Sequence, residues 1–207
     1  MKPKIAMLAA VGVAMAWVAG AAEPKFGAPV QLFNGKDLSG WTFSGDAVKA
    51  AWSVKDGVLH NAGRPGGYIR TEKDYTNFKL TLEFRHLSKG NGGVLLRVVG
   101  PDKVWPKSVE AQGMLGNVGD IFTIDQFPLK TDRARGRHTP KMHPSNEKPM
   151  GAWNTYEITA NRGTLELKVN GLVQNTGTEF EEVPGKIALQ SEGAEMEFRN
   201  LVLTPIE

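Results

Sequence analysis

The sequence predicts an all-β protein, built as a two-sheet antiparallel β-sandwich or jelly roll. Helical periodicity is hard to find after the first 22 residues, where short alternating runs bounded by Gly, Pro, Asn and Asp dominate. The dipeptides Asp56-Gly57 and Asn170-Gly171 each separate two such runs, which favours two-residue hairpins of type I′. Many short strands without a long helix are typical of two packed sheets.

The strand candidates follow one another at short intervals along the chain. The turn at Asn34-Gly35 reverses the chain because Asn and Gly tolerate positive φ, and Trp41 then begins a strand that continues through Phe43. The other predicted strands are 30–33, 52–55, 58–61, 68–71, 78–87, 93–99, 108–114, 120–123, 154–160, 164–169, 172–179, 185–190 and 195–204.

The first 22 residues predict a secretory signal peptide. Lys2 and Lys4 precede an uncharged apolar run over 5–18, and small residues at 19–22 provide a cleavage site after Ala21 or Ala22. The run is short for a membrane span. We therefore expect residues 23–207 to form a single domain that is exported to the periplasm or the extracellular space, with no membrane insertion after cleavage.

Composition excludes several classes of function. Without Lys2 and Lys4, 23 basic residues stand against 22 acidic ones, and no clustered basic face predicts a nucleic-acid partner. The chain has no cysteine, which excludes disulfides, thiolate metal sites and cysteine nucleophiles. A Gly-x-Ser-x-Gly motif is also absent from the sequence, so a serine nucleophile is unsupported.

The longest predicted loop, 125–151, is basic and rich in Pro and His. A loop of this length inside a compact domain is usually functional or mobile. His138 and His143 are metal candidates, but they lie five residues apart in a Pro-broken loop and read more simply as solvated loop histidines. A divalent cation bound by carboxylates, such as calcium, stays open as a cofactor.

Alternation along the strands collects polar side chains on one predicted face, since successive residues point to opposite sides. One interpretation is an ordinary solvated face with cross-strand ion pairs. The other is a sugar-binding groove, because Glu, Gln and Arg offer the planar, bidentate hydrogen bonding that sugar hydroxyls use. The residues are Glu83, Arg85, Arg97, Glu110, Gln112, Gln190, Glu192, Glu197 and Arg199.

Four tryptophans remain after the leader, and aromatic faces stack on sugar rings. Trp41, Trp52 and Trp153 lie in apolar strand contexts, so we expect them in the core. Trp105 lies in a Pro-bounded loop and is the candidate for exposed stacking.

From Val30 to Pro205, the chain resembles the 3-keto-disaccharide hydrolase domain family, whose fold is similar to the concanavalin A-like lectin/glucanase jelly roll. The order and spacing of the matching pieces carry the resemblance. Two positions depart from the family pattern: Gly92 stands where Ser is usual, and Glu192 stands where a His is frequent. The matching pieces are LFNGKDLSGW at 32–41, WSVKDGVL at 52–59, YTNFKL at 75–80, EFR at 83–85, GNGGVLLR at 90–97, EAQ at 110–112, WNTYEI at 153–158, VNG at 169–171, IALQ at 187–190 and EFRNL at 197–201.

The resemblance implies cleavage of a small-molecule or oligosaccharide glycoside that carries a ketone at sugar C3. Such a ketone acidifies the C2 hydrogen, so a base can remove it, the C1 substituent can leave, and water can add back. For this chemistry Glu110 is the preferred base or metal ligand, because it lies mid-strand on the polar face, and Arg97 would stabilise the enolate. The expected substrate-binding residues are Glu83, Arg85, Gln112, Gln190, Glu192, Arg199 and Trp105.

Three other interpretations stay open. Glu83, Glu110 and Glu192 could supply the carboxylate pair of an ordinary glycosidase. A non-catalytic carbohydrate-binding module would need only exposed aromatic rings and amides on the same sandwich. A structural envelope protein is the third interpretation. The Glu- and Arg-rich face favours the enzyme.

Overall fold

The computed structural model describes residues 24–207, and the predicted signal peptide over 1–22 lies outside them. The described chain folds into two antiparallel sheets packed face to face, which confirms the predicted all-β sandwich. A short 3-10 helix, Asp46–Ala51, interrupts the strands. No helix within residues 24–207 is long and apolar enough to cross a membrane.

The first sheet, here sheet I, contains eight strands. They are β1 (Val30–Gln31), β3 (Trp52–Lys55), β4 (Val58–Asn61), β6 (Phe78–His86), β11 (Asn154–Asn161), β12 (Thr164–Val169), β13 (Leu172–Gly177) and β15 (Met196–Pro205). Their order across the sheet is β13-β12-β11-β6-β15-β4-β3, and β1 pairs with β15.

The second sheet, here sheet II, contains seven strands. They are β2 (Trp41–Phe43), β5 (Gly67–Thr71), β7 (Gly93–Val99), β8 (Lys107–Gln112), β9 (Ile121–Ile124), β10 (His138–Thr139) and β14 (Lys186–Ser191). Their order is β10-β9-β8-β7-β14-β5-β2. The sequence did not predict β10, a two-residue strand inside the long loop.

Both predicted hairpin turns are confirmed. Asp56 and Gly57 have φ values of 52° and 77°, and Asn170 and Gly171 have φ values of 47° and 81°. Positive φ at both central residues defines the type I′ turn, whose twist matches that of the flanking strands. The turns fix the register of β3 against β4 and of β12 against β13.

The two sheets differ in their outer faces. In sheet I, β6 and β11 alternate regularly between buried and partly exposed residues, so their outer face meets solvent. In sheet II, β7, β8 and β14 are buried on both faces along most of their length. A second apolar cluster lies on that outer face, apart from the main core. Its members are Tyr68, Leu95, Val98, Ile124 and Ala188.

The long segment 125–151 is fastened to the sandwich by buried amides. The Asn175 side chain donates to the carbonyl oxygens of Gly119 (3.0 Å) and Thr139 (3.2 Å). The neighbouring Gln174 donates to Asn146 Oδ1 at 2.8 Å. Each of these bonds satisfies a buried polar group, so the segment is an ordered part of the fold.

Candidate functional site

The outer face of sheet II brings several of the predicted site residues together. Glu110 lies opposite Leu95 of β7 on one side and opposite Phe122 of β9 on the other. It points away from the core because its neighbours Val109 and Ala111 lie within the core. Alternation places Gln112 and, on β14, Gln190 on the same outer face.

Gly93 allows Glu110 and Gln190 to approach each other. A Cβ atom on Gly93 would lie 2.5 Å from Gln190 Oε1 and 3.1 Å from Glu110 Oε1. A side chain at this position would therefore push at least one of the two oxygens away. Both oxygens are buried, and neither has a hydrogen-bond partner among the described residues.

Glu192 and Asn91 extend this polar group. The Asn91 side-chain nitrogen donates to Glu192 Oε2 at 2.8 Å, while Asn91 Oδ1 is buried without a partner in the described chain. The site thus contains three buried side-chain oxygens without a hydrogen-bond partner in the described chain, on Asn91, Glu110 and Gln190. An unpaired buried acceptor costs about 1–3 kcal/mol, so the arrangement suits a ligand that brings hydroxyl donors.

The two carboxyl groups influence each other. Burial, and next the charge of Glu192, raises the pKa of Glu110 to about 8, while Arg137 acts in the opposite direction. Burial also raises the pKa of Glu192, with Arg137 and the Asn91 hydrogen bond opposing it. Glu110 is therefore predominantly protonated at neutral pH and is able to donate a proton.

Arg137 is an exposed residue whose positive charge lowers the pKa of both carboxyl groups. Its guanidinium carbon lies 5.3 Å from the centre of the Phe122 ring, next to Glu110 in the sheet. Sequence reasoning missed Arg137 because it treated the basic stretch around it as an undifferentiated loop. Arg137 directly precedes β10, and the pairing of β10 with β9 brings it to this part of the sheet. Alternation along single strands does not predict that pairing.

His138, a predicted metal candidate, stacks on Phe122 at 4.5 Å between ring centroids. Its Nε2 atom lies 2.7 Å from Asp120 Oδ2, and the other oxygen of Asp120 accepts the Lys141 amide at 2.9 Å. His143 is exposed, and its amide donates to Gln174. Within residues 24–207 no three His, Asp or Glu side chains converge as metal ligands.

Gln112 and Trp105 lie on the same side of the sandwich as Glu110. Gln112 Oε1 accepts the backbone amides of Gly113 (2.8 Å) and Met114 (2.9 Å), so this oxygen holds a turn. Trp105 is exposed, as predicted, and lines a cleft that Gln190 and Glu192 also line.

Arg97 does not share a face with Glu110, so the predicted catalytic pair of Glu110 and Arg97 was wrong. A β-bulge follows Leu96, and Arg97 has a φ of 51°, which reverses the alternation. The fully buried guanidinium stacks 3.9 Å from the centre of the Phe180 ring. It donates to the backbone carbonyl oxygens of Thr76 (2.8 Å), Phe180 (3.1 Å) and Glu181. Arg97 therefore ties two loops to the core.

Four other predicted residues lie on the outer face of sheet I, opposite the Glu110 side. Arg85 pairs with Glu197 at 2.5 Å, and Arg199 pairs with Glu83 at 2.5 Å. Both guanidinium groups lie over the Trp153 ring, at 4.7 and 4.1 Å. The prediction of a single groove was wrong for these residues, because β6 and β15 belong to the other sheet.

Trp153 is partly exposed beneath these ion pairs, so its predicted place in the core was also wrong. Trp41 and Trp52 are buried in the core, as predicted. Glu83 lies on the other sheet, so Glu110 and Glu192 are the carboxyl pair that the structure brings together.

The chain matches a protein family over residues 28–204, and the family is described as a 3-keto-alpha-glucoside-1,2-lyase-like domain. The chain belongs to this family. The match covers nearly all of the described residues and confirms the resemblance noted from the sequence. A search of curated proteins gives no match.

Solved structures of similar fold support the same architecture for this 3-keto-alpha-glucoside-1,2-lyase-like chain. A putative glycosyl hydrolase from Parabacteroides distasonis is 25% identical, with a TM-score of 0.64 over 86% of this chain and 94% of that one. The carbohydrate-binding module CBM66 from Bacillus subtilis is 11% identical, with a TM-score of 0.58 over 78% and 93%. A Bacillus licheniformis beta-glucanase is 10% identical, with a TM-score of 0.60 over 90% and 99%. These likenesses support a β-sandwich of the jelly-roll type for the chain.

Proposed function

We propose that the protein cleaves glycosides that carry a ketone at sugar C3, by elimination followed by hydration. The observation that carries the proposal is the buried carboxyl group of Glu110 beside Glu192, surrounded by acceptor oxygens that need donors. Sugar hydroxyls are such donors. Membership of the 3-keto-alpha-glucoside-1,2-lyase-like family supports this substrate class.

The reaction divides into three steps. A base removes the C2 hydrogen, and the electron pair moves into an enolate on the C3 oxygen. The enolate collapses to the ketone, a C1–C2 double bond forms, and the C1 oxygen leaves with a proton from an acid. Water then adds across the double bond, with hydroxyl at C1 and hydrogen at C2. The site must therefore supply a base, an acid and a group that stabilises the enolate.

The described residues provide one group for each role. Glu110 is the acid in this proposal, since its raised pKa keeps it protonated at neutral pH, whereas the sequence favoured it as the base. The less buried Glu192 is the base. Arg137 replaces Arg97 as the group for the enolate oxygen, because its charge acts on both carboxyl groups and its guanidinium lies over Phe122, the residue opposite Glu110. Gln190 and Asn91 accept hydrogen bonds from ring hydroxyls.

The test is turnover of a 3-keto aryl glycoside by the purified protein. Glu110→Gln keeps the shape of the side chain but removes its proton transfer, so we expect kcat to fall by about 100-fold or more. Glu83→Gln, the same change on the other sheet, should leave kcat within about twofold. Assays with and without a chelator test the divalent cation, which stays a prediction from the sequence.

Three outcomes would decide against this proposal. Turnover by Glu110→Gln equal to the wild type removes Glu110 from the chemistry. Equal turnover of the unoxidised glycoside indicates an ordinary carboxylate-pair glycosidase. Binding without release of the aglycone indicates a carbohydrate-binding module, the alternative that the exposed Trp105 ring favours.

Export to the periplasm or beyond is a separate proposal, and it rests on the leader-like residues 1–22. Expression of the full chain in a bacterium, followed by fractionation and N-terminal sequencing, tests it. A mature N-terminus near residue 22 or 23 in the exported fraction supports the proposal. Retention of intact chain in the cytoplasm contradicts it.

A further inference from the structure

The segment 100–106 joins β7 to β8. Asp102 attaches this segment to the outer face of sheet II through two hydrogen bonds. One carboxylate oxygen of Asp102 accepts the Tyr68 hydroxyl at 2.8 Å, and the other accepts Arg70 Nη2 at 2.6 Å. Lys103 pairs with Asp125 at 2.6 Å on the far side of the segment. These contacts hold Asp102 and Lys103 against the sandwich, directly before Val104 and Trp105.

Val104 and Trp105 are 75% and 44% exposed. Adjacent large apolar side chains that are exposed together often mark a ligand-binding surface. Val104 and Trp105 form one wall of a cleft that is open to solvent. Tyr68 and the side-chain-free Gly66 and Gly67 line it as well.

The cleft adjoins the candidate site directly. Gln190 and Glu192 line it, and these two residues also neighbour Glu110, Gln190 across Gly93 and Glu192 through its charge. The sequence of groups along the surface is therefore Glu110, then Gln190 and Glu192, then Trp105. A sugar ring held between the two carboxyl groups would direct its C1 substituent either into this cleft or into solvent.

We propose that this cleft holds the leaving group of the glycoside, a ring with one apolar face that stacks on Trp105, and that Asp102 is the positioning residue for the stack. The inference rests on the proposed function. Aryl rings and pyranose rings share the required chemistry, because each presents a flat apolar face to an aromatic side chain. Trp105, predicted from sequence as a stacking residue, thereby gains a specific partner on the substrate.

The experiment compares three substrates that share one 3-keto sugar: a methyl glycoside, an aryl glycoside and a disaccharide. The readout is the ratio of kcat/KM for each ring leaving group to that for methyl. Trp105→Ala should lower the ratio about tenfold, which corresponds to about 1.4 kcal/mol of lost stacking and burial. A fall for the aryl substrate alone assigns the cleft to aromatic aglycones, and a fall for the disaccharide alone assigns it to sugars.

Matched variants separate stacking from folding. Trp105→Phe should restore part of the ratio. Asp102→Asn should raise KM for ring leaving groups more than it lowers kcat. Trp153→Ala removes the tryptophan that packs against Arg85 and Arg199 on the outer face of sheet I, and it should leave the ratio unchanged. Equal losses on all three substrates, or no change in Trp105→Ala, would overturn the inference.

The inference can fail separately from the proposed function. If the wild type turns over none of the three substrates, the proposed function fails, and calorimetric titration with the unoxidised disaccharide then tests the cleft alone. A Kd raised about tenfold by Trp105→Ala supports the cleft as a ring site. An unchanged Kd, or no binding by the wild type, overturns it.

Discussion

Glu110 is a carboxyl group that the fold holds where its ionised form is unfavourable. It is only 3% exposed, and its Oε1 atom lacks a donor among the described residues. Such a group weakens the folded state at any pH where the unfolded chain would ionise it. A buried carboxyl group that lowers the stability of the folded state is typical of a functional site.

This arrangement predicts a pH-dependent stability. The pKa of Glu110 rises from 4.5 to about 8 on folding, so below pH 4.5 the group is protonated in both states and contributes nothing unfavourable. Between pH 4.5 and about 8, unfolding releases its proton and the free energy of unfolding falls. Glu110→Gln removes this dependence and should be more stable than the wild type by on the order of 3 kcal/mol at pH 7.

Urea unfolding at pH 4.5, 6 and 8 measures the effect. The stability difference between Glu110→Gln and the wild type should grow with pH, because only the wild type carries the buried acid. Glu83→Gln, which changes a partly exposed carboxylate on sheet I, should not show the same growth. A difference that stays constant across the three pH values would contradict the shift.

Among the elements, β7 and β8 show what the sequence determines and what it does not. The β8 strand runs regularly from Glu110 to Gln112, so alternation placed both side chains correctly. The β7 strand contains a bulge at Arg97, and a single extra residue reverses every later assignment. Nothing in the local sequence marks the bulge, because Arg97 takes a positive φ that is normally found at Gly or Asn.

The assignment of strands to sheets was a second feature that the sequence pattern could not determine. Alternation predicts which side chains share a face of one strand, but the pairing partners decide which sheet the strand joins. Alternation therefore predicted correctly that Glu83 and Arg199 share a face, but it could not show that this face belongs to sheet I. In β7, successive residues from Val94 to Leu96 are apolar and buried. Such a run indicates a strand that is buried on both faces, so it could have distinguished sheet II from sheet I.

Arg97 should act on stability rather than on catalysis. The guanidinium donates to several backbone carbonyl groups at once, and a lysine ammonium cannot span them. Arg97→Lys should lower the free energy of unfolding by about 3 kcal/mol while kcat per folded molecule stays the same. Arg85→Lys, at a half-exposed ion pair, should cost under about 1 kcal/mol. A large loss of kcat in folded Arg97→Lys would restore Arg97 to the site.

At the scale of the whole molecule, the candidate site lies on one side of the sandwich, and the long segment 125–151 packs against that side. The segment 125–151 supplies Arg137 and His138 to the edge of sheet II, and the buried amides of Gln174 and Asn175 in β13 of sheet I donate to its Asn146 and Thr139. The two sheets are thus joined by more than their common core. Segments held in this way open rarely in the native state.

Limited trypsin digestion tests this fastening. The stretch from Lys130 to Lys141 contains five basic residues, yet we expect slow cleavage there in the wild type. Asn175→Ala removes hydrogen bonds to three backbone carbonyls and to Arg133, so cleavage in this stretch should be about tenfold faster. Thr176→Ala, an exposed neighbour on the same strand, is the control. Rapid cleavage of the wild type would show that the amides do not restrain the segment.

The solvated outer face of sheet I has a practical consequence. Many of its charged side chains pair with one another, such as Arg85 with Glu197 and Glu83 with Arg199, on the sheet opposite Glu110. A tether to a resin or a sensor chip at Glu166 or Lys168, on β12, would therefore orient the opposite side toward the bulk liquid. Molecules captured there would reach the carboxyl pair without obstruction from the support.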